Sequence, residues 1–217
     1  MYKEIWALIK KDLQLEWRSG QAWSSSILYV FTTAFVVYIT FINIPANLWN
    51  PLFWIIILFT AVNSVSGSFS SENGSLRLYY YTLMDPVKLM VSKTIYNVLV
   101  VTFLSFLCFA GFAFITGNPV RHLGNFLLVL LAAGVGLSIT LTFTAAIAAG
   151  VKRKTSLLTI LSFPLLIPTI LVVLKLSADA IGLINDSTNN QDLITLFALD
   201  ILLLGLGILL FPFLWKD

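Results

Sequence analysis

Residues 124–154 read GNFLLVLLAAGVGLSITLTFTAAIAAGVKRK: 27 residues from Gly124 to Gly150 without a charge, then Lys152, Arg153 and Lys154. As a helix, a run of that length rises about 40 Å at 1.5 Å per residue, more than the roughly 30 Å hydrocarbon core of a bilayer. A membrane-barrel strand needs only about 9–11 residues with strict alternation, and this run does not alternate. It is therefore read as a membrane-crossing helix. The basic cluster at its end marks the side that stays in the cytoplasm.

The same pattern repeats outward in both directions. Further apolar runs lie near 22–42, 52–70, 94–116, 155–175 and 193–214. Of the 217 residues, 59% are hydrophobic and 11% charged, whereas a soluble domain is about half apolar and a quarter charged. The expected fold is all-α: a single transmembrane domain over 1–217 with six crossings, a helix over 2–18 in the membrane interface, and no soluble catalytic domain. With the N-terminus inside, eleven of the 13 basic residues fall on cytoplasmic segments (Lys3, Lys10, Lys11, Arg18, Arg77, Lys88, Lys93, Lys152, Arg153, Lys154 and Lys216). Only Arg121 and Lys175 fall outside, so both termini are expected in the cytoplasm. The net charge of +3 reflects topology and not a nucleic-acid face, since the charges flank apolar runs. The N-terminus lacks the small-residue cleavage site of a leader peptide.

Within 2–18, Ile5, Trp6, Ile9, Leu13 and Trp17 recur at helical spacing, with Lys3, Glu4, Lys10, Lys11, Gln14 and Arg18 mostly elsewhere. Two roles fit this helix: an anchor that orients the first crossing, or an elbow that also touches a cytoplasmic partner. Trp49, between Pro45 and Pro51, is expected as an interfacial anchor. The fourth run is rich in small residues from Ala132 to Gly150, which serve close packing within the chain or a homodimer seam. Pro164 and Pro168 are expected to bend the fifth crossing.

Charges within the membrane are costly and point to function. Asp200 lies well inside the sixth run and Lys175 near the outer end of the fifth, so the expectation is that Asp200 pairs with Lys175 or faces a polar cavity. Cys108 is the only cysteine and His122 the only histidine. Neither has the companions of a metal centre, and no nucleophile–base pair stands out. No catalytic residue, metal ligand or resident cofactor is therefore expected. There is no Gly-x-x-x-x-Gly-Lys-Ser/Thr, so ATP must be bound by another chain if the protein is energised.

The loop after the second run reads FSSENGSLRLYYYTLMDP over 69–86. Gly74 suits a turn and Ser75 a helix cap. A short amphipathic helix is expected next, ended by Pro86. Tyr79, Tyr80 and Tyr81 offer large contact area to headgroups or to a protein partner. The order Glu72, Gly74-Ser75-Leu76, Pro86, Lys93, between the second and third of six runs, resembles the loop of type 2 ABC exporter permeases that docks on the motor subunit. A second match is more specific. Gly150-Val-Lys152-Arg153, followed by Leu157-Leu158-Thr-Ile160-Leu161 and Pro164-Leu-Leu-Ile-Pro168, resembles the signature of the haem exporter protein B (CcmB) family. The resemblance covers essentially the whole chain. Arg77 stands where many members carry an acid, and the stretch from Gly74 to Pro86 is longer and richer in tyrosine than in many relatives.

What the resemblance implies is a bacterial inner-membrane permease acting in cytochrome c maturation. It would work with a cytosolic ABC ATPase docked on Glu72, Gly74, Ser75, Leu76, Tyr79–Tyr81 and Pro86. A haem-handling membrane protein and a small single-span subunit would be its other partners, with haem as the cargo. Haem export and release of the haem-loaded chaperone both fit. Two other readings share parts of the pattern: a generic type 2 exporter permease for a lipid, drug or glycan, and a membrane scaffold that transports nothing.

Overall fold

In hydrocarbon every backbone N–H and C=O must be satisfied within the protein, so long apolar segments fold as helices. The computed structural model follows this rule and describes residues 2–41, 43–68, 85–149, 154–184 and 189–216. Among them all regular structure is helical: α1 (Tyr2–Ser19), α2 (Gln21–Thr40), α3 (Ala46–Ser68), α4 (Pro86–Thr116), α5 (Leu123–Ala149), α6 (Lys154–Ile181) and α7 (Asn189–Lys216). Five helices contain stretches long and apolar enough to cross a membrane: Ala46–Ser66, Pro86–Thr116, Leu123–Ala148, Ser162–Ile181 and Gln191–Pro212. The sixth expected crossing is α2, whose apolar stretch, Ser24–Thr40, is shorter.

The outside of the bundle is apolar, as a lipid-facing surface requires. Leu28 is 69% exposed, Phe114 89% and Ile201 72%, and a water-facing surface does not carry such side chains in bands. The chain is a multi-pass membrane protein. Its centre is α5, which packs on α3, α4, α6 and α7. The small residues of α5 serve that packing: Ala132, Ala133, Ser138, Ala145, Ala146 and Ala148 are buried within the chain.

Several boundaries move relative to the sequence expectation. The third crossing begins at Pro86 and not at 94, and Pro86 starts this helix. Its ring fits the first helical position, and the Asp85 side chain caps the end by accepting from Val87 N–H at 3.0 Å. The expected amphipathic helix before Pro86 falls outside the described residues. α3 begins at Ala46 and carries Pro51 inside it. α6 runs from Lys154 to Ile181 as one helix with Pro164 and Pro168 inside it. It stops at Gly182, where φ is 82°. Gly182 N–H donates to Asp179 C=O and Leu183 N–H to Ala178 C=O, both at 2.9 Å, the pair of hydrogen bonds that ends helices on a left-handed glycine.

Candidate functional site

α1 lies against the first turns of α4, and the contact is polar as well as apolar. Leu8 and Ile9 are buried, and Leu13 packs against Tyr96, Val100 and Leu104. Asp12 is 7% exposed and meets Lys93 at 3.0 Å; the Lys93 side chain is 2% exposed. Lys11 approaches the same carboxylate at 3.2 Å. On either side, Lys88 donates to Glu4 at 2.7 Å and the Tyr96 hydroxyl donates to Glu16 at 3.4 Å. The hydrogen bond and charge of Lys88 hold the Glu4 carboxyl below its ordinary pKa.

The expected apolar stripe of α1 is divided by this contact. Ile9 is buried, but Trp6 is 65% exposed, and Leu8 and Asp12 occupy the covered side. The side chain of Trp17 lies outside the described residues. The sequence reading passed over Asp12 and Glu16. Their signal was present: Glu4, Asp12 and Glu16 are spaced by eight and four residues, which puts them on one side of a helix.

The expected docking residues Glu72, Gly74, Ser75, Leu76, Tyr79, Tyr80 and Tyr81 lie outside the described residues, as do Gly150, Lys152 and Arg153 of the expected signature. Their flanks are described. The loop leaves α3 at Ser68 and enters α4 at Pro86, three residues before the buried Leu89. α1 therefore sits at the end of the bundle to which that loop belongs. Pro164 is exposed and Pro168 half-buried, both on α6.

A second polar group runs along the α4–α5 seam. Asn97 Nδ2 donates to Thr142 at 2.8 Å, and the Ser138 hydroxyl donates to the Asn97 carbonyl at 3.2 Å. At mid-length on α5 two glycines allow close approach. A Cβ on Gly134 would lie 2.7 Å from Thr102 Oγ1 and 3.1 Å from its Cα. A Cβ on Gly136 would lie 2.7 Å from Asp200 Oδ1.

Asp200 is 3% exposed, and among the described residues neither carboxyl oxygen has a hydrogen-bond partner. The expected pair with Lys175 does not form. Lys175 binds Asp192 at 2.8 Å, one acid nearer the start of α7 and four-fifths buried. Lys175 sits six residues from the end of α6, so its ammonium reaches the beginning of α7 and not its interior.

The opposite end of the bundle is closed by aromatic packing. Trp49, Phe53, Trp54, Phe109, Phe112 and Phe126 form one cluster with ring centroids 5.0–6.5 Å apart. Trp49 is 1% exposed; it is a core residue and not the expected lipid-facing anchor. Its indole donates to Thr116 at 3.0 Å, which satisfies the polar end that an anchor would have kept at the interface. Trp54 donates to Ser177, and Ser177 to Asn50, each at 2.8 Å. His122 is exposed, and its backbone N–H donates to Ala180 C=O at 3.0 Å. Among the described residues there is no group of three His, Cys, Asp or Glu side chains placed to hold a metal.

The α1–α4 contact is ion-paired, whereas the α5–α7 contact brings Gly136 close to an Asp200 carboxyl that has no hydrogen-bond partner among the described residues. No curated protein matches the chain. It does match the CcmB protein family over residues 3–213, which takes in every described helix except the first residue of α1 and the last residues of α7. The chain belongs to the CcmB family, the membrane permease subunits of the ABC transporter for cytochrome c maturation.

Proposed function

We propose that this chain spans the bacterial inner membrane six times, with both termini cytoplasmic, and couples a separate cytosolic ATPase to haem export or to release of the haem-loaded chaperone. The family match over 3–213 carries this reading. In it, α2 is the sixth crossing: about 26 Å of apolar helix over Ser24–Thr40 at 1.5 Å per residue, a shortfall that tilt and local thinning of the bilayer accommodate. Residues 72–86 receive the motor, with Glu72, Gly74, Ser75, Leu76 and Tyr79–Tyr81 as contacts and Pro86 as the start of the helix that moves. α1, tied to α4 by Asp12–Lys93 and Glu4–Lys88, supports the same end. Gly150, Lys152 and Arg153 belong, in this reading, to the same cytoplasmic side. A haem-handling membrane protein, a small single-span subunit and a second copy of this chain complete the assembly.

The test is a mild-detergent pull-down of the tagged protein with identification of its partners. The proposal expects an ABC ATPase and a haem-handling membrane protein together. An ATPase without haem machinery would replace the reading with a generic exporter. Alanine at Tyr79, Tyr80 and Tyr81 is expected to lower ATPase recovery while membrane insertion stays intact; full recovery would remove the docking assignment.

A further inference from the structure

Residues 2–19 carry four basic and three acidic side chains, so α1 counts as only slightly positive. The fold separates those charges. Glu4, Asp12 and Glu16 turn toward α4 and are engaged by Lys88, Lys93 and Tyr96. Lys3, Lys10 and Arg18 remain exposed. At 3.6 residues per turn, Lys10, Lys3 and Gln14 fall within roughly 40° of one another around the helix, with Arg18 about 40° further on. The three acids centre on nearly the opposite side. Trp6, 65% exposed, lies about 40° from Lys10 on the flank of this basic sector.

The level of α1 is also fixed. It packs beside Lys88, the third residue of α4, and only Gly20 separates it from α2, whose apolar stretch begins at Ser24. α1 therefore lies where the crossing helices leave the apolar layer. A basic sector bordered by an exposed tryptophan at that level matches the chemistry of lipid headgroups, where indoles and ammonium groups concentrate.

We propose that the exposed side of α1, formed by Lys3, Lys10 and Arg18 with Trp6, binds the anionic phospholipid headgroups of the adjoining leaflet. The sector is positive because α4 takes up the acids. Lys88 and Lys93 thus have a second consequence beyond holding α1: Lys93 encloses the Asp12 carboxylate, and Lys88 offsets the charge of the half-exposed Glu4. Each basic residue near a surface adds roughly fivefold to its attraction for anionic lipid. Three of them give a marked local enrichment that added salt weakens. The proposal does not depend on which partner occupies residues 72–86.

The experiment uses the full chain in nanodiscs of phosphatidylcholine with a minority of phosphatidylglycerol, one lipid at a time carrying brominated acyl chains. Trp6 quenching is the difference between the wild type and Trp6→Phe. Brominated phosphatidylglycerol is expected to quench Trp6 severalfold more than its mole fraction predicts. That excess should disappear in Lys3→Gln/Lys10→Gln/Arg18→Gln and persist in Lys3→Arg/Lys10→Arg. All three sites are exposed, and unchanged emission of the buried Trp49 and Trp54 checks the fold. Quenching in proportion to mole fraction in the wild type overturns the proposal, as does an excess that survives the triple glutamine change. If the triple variant keeps its lipid preference but loses a cytosolic protein in a pull-down, the sector is a protein-docking face and the proposal fails.

Discussion

Asp12 and Asp200 are both nearly sealed off, at 7% and 3% exposure, yet the chain treats them in opposite ways. Asp12 sits at the edge of the bundle, where a second helix can reach it with Lys93 at 3.0 Å. Asp200 sits at mid-length on α7, opposite a glycine, with both oxygens unpartnered among the described residues. A buried ion pair adds little net stability, because desolvation offsets attraction, but breaking one strands a charge. An unpaired buried carboxyl costs stability outright. The first acid therefore fixes the register of α1 on α4. The second is a place where the fold gives up stability at a close contact between α5 and α7.

The largest effect is expected from breaking the paired acid. Asp12→Leu removes the carboxylate 3.0 Å from the buried Lys93 ammonium, which should cost about 3 kcal/mol. Lys93→Leu should cost less, because Lys11 still approaches Asp12 at 3.2 Å. The double change Asp12→Leu/Lys93→Leu should recover part of the loss, since both members of the buried pair are then removed together. Unfolding midpoints of the purified protein in detergent would show this. Additive losses in the double variant would mean that the two groups are not coupled.

The next effect comes from the glycines that let the helices meet. Gly134→Ala should cost about 1–3 kcal/mol, because the new methyl lies 3.1 Å from the Thr102 Cα and α4 itself must shift. Gly136→Ala should cost less. Its methyl meets only the Asp200 carboxyl, a side chain that can rotate. Equal losses in the same unfolding assay would show that Asp200 is held as rigidly as the α4 backbone.

The division between what the sequence disclosed and what it hid follows the same contrast. The apolar runs were legible because burial in hydrocarbon leaves a signal many residues long, and all five strongest coincide with helices in the structure. Their ends were less legible. Pro86 was read as a stop because a proline disfavours helix in the residue before it, but with Asp85 as a cap it is equally a start. Trp49 was read as an anchor because residue type alone cannot tell a lipid-facing indole from one turned into Phe53 and Phe112. Lys175 was matched with Asp200 because sequence gives axial position only roughly, and Asp192 lies two turns nearer the start of α7. The α1–α4 contact was hidden for another reason. Pairing Asp12 with Lys93 requires knowing which helices are neighbours across 81 positions, and nothing local in either segment carries that information.

Asp200→Leu sharpens the comparison, because it is the change made at Asp12 with the opposite expectation. Leucine nearly matches the shape of aspartate and replaces two unpartnered oxygens by methyl groups. Removing unsatisfied buried polar atoms in that way is neutral or stabilising. The unfolding midpoint should hold or rise by the equivalent of about 1 kcal/mol. A clear fall would show that Asp200 has a partner in the membrane, such as a group brought by another subunit, and would place it with Asp12 after all.

The smallest effect is expected at Glu4, the exposed member of the α1–α4 contact. Its carboxyl is held below the ordinary value by the hydrogen bond from Lys88 and by that ammonium's charge. A group whose pKa is lowered by folding contributes stability above its unfolded pKa and loses it as pH falls through the lowered folded value. The difference in midpoint between the wild type and Glu4→Gln should therefore be small at neutral pH. It should shrink on acidification through the carboxylate range and fade when salt is added. Asp12→Leu should respond far less to salt, because the Asp12–Lys93 pair is enclosed by the two helices. If the two variants respond equally to salt, the enclosure of Asp12 does not distinguish it from a surface acid, and the register role assigned to it falls.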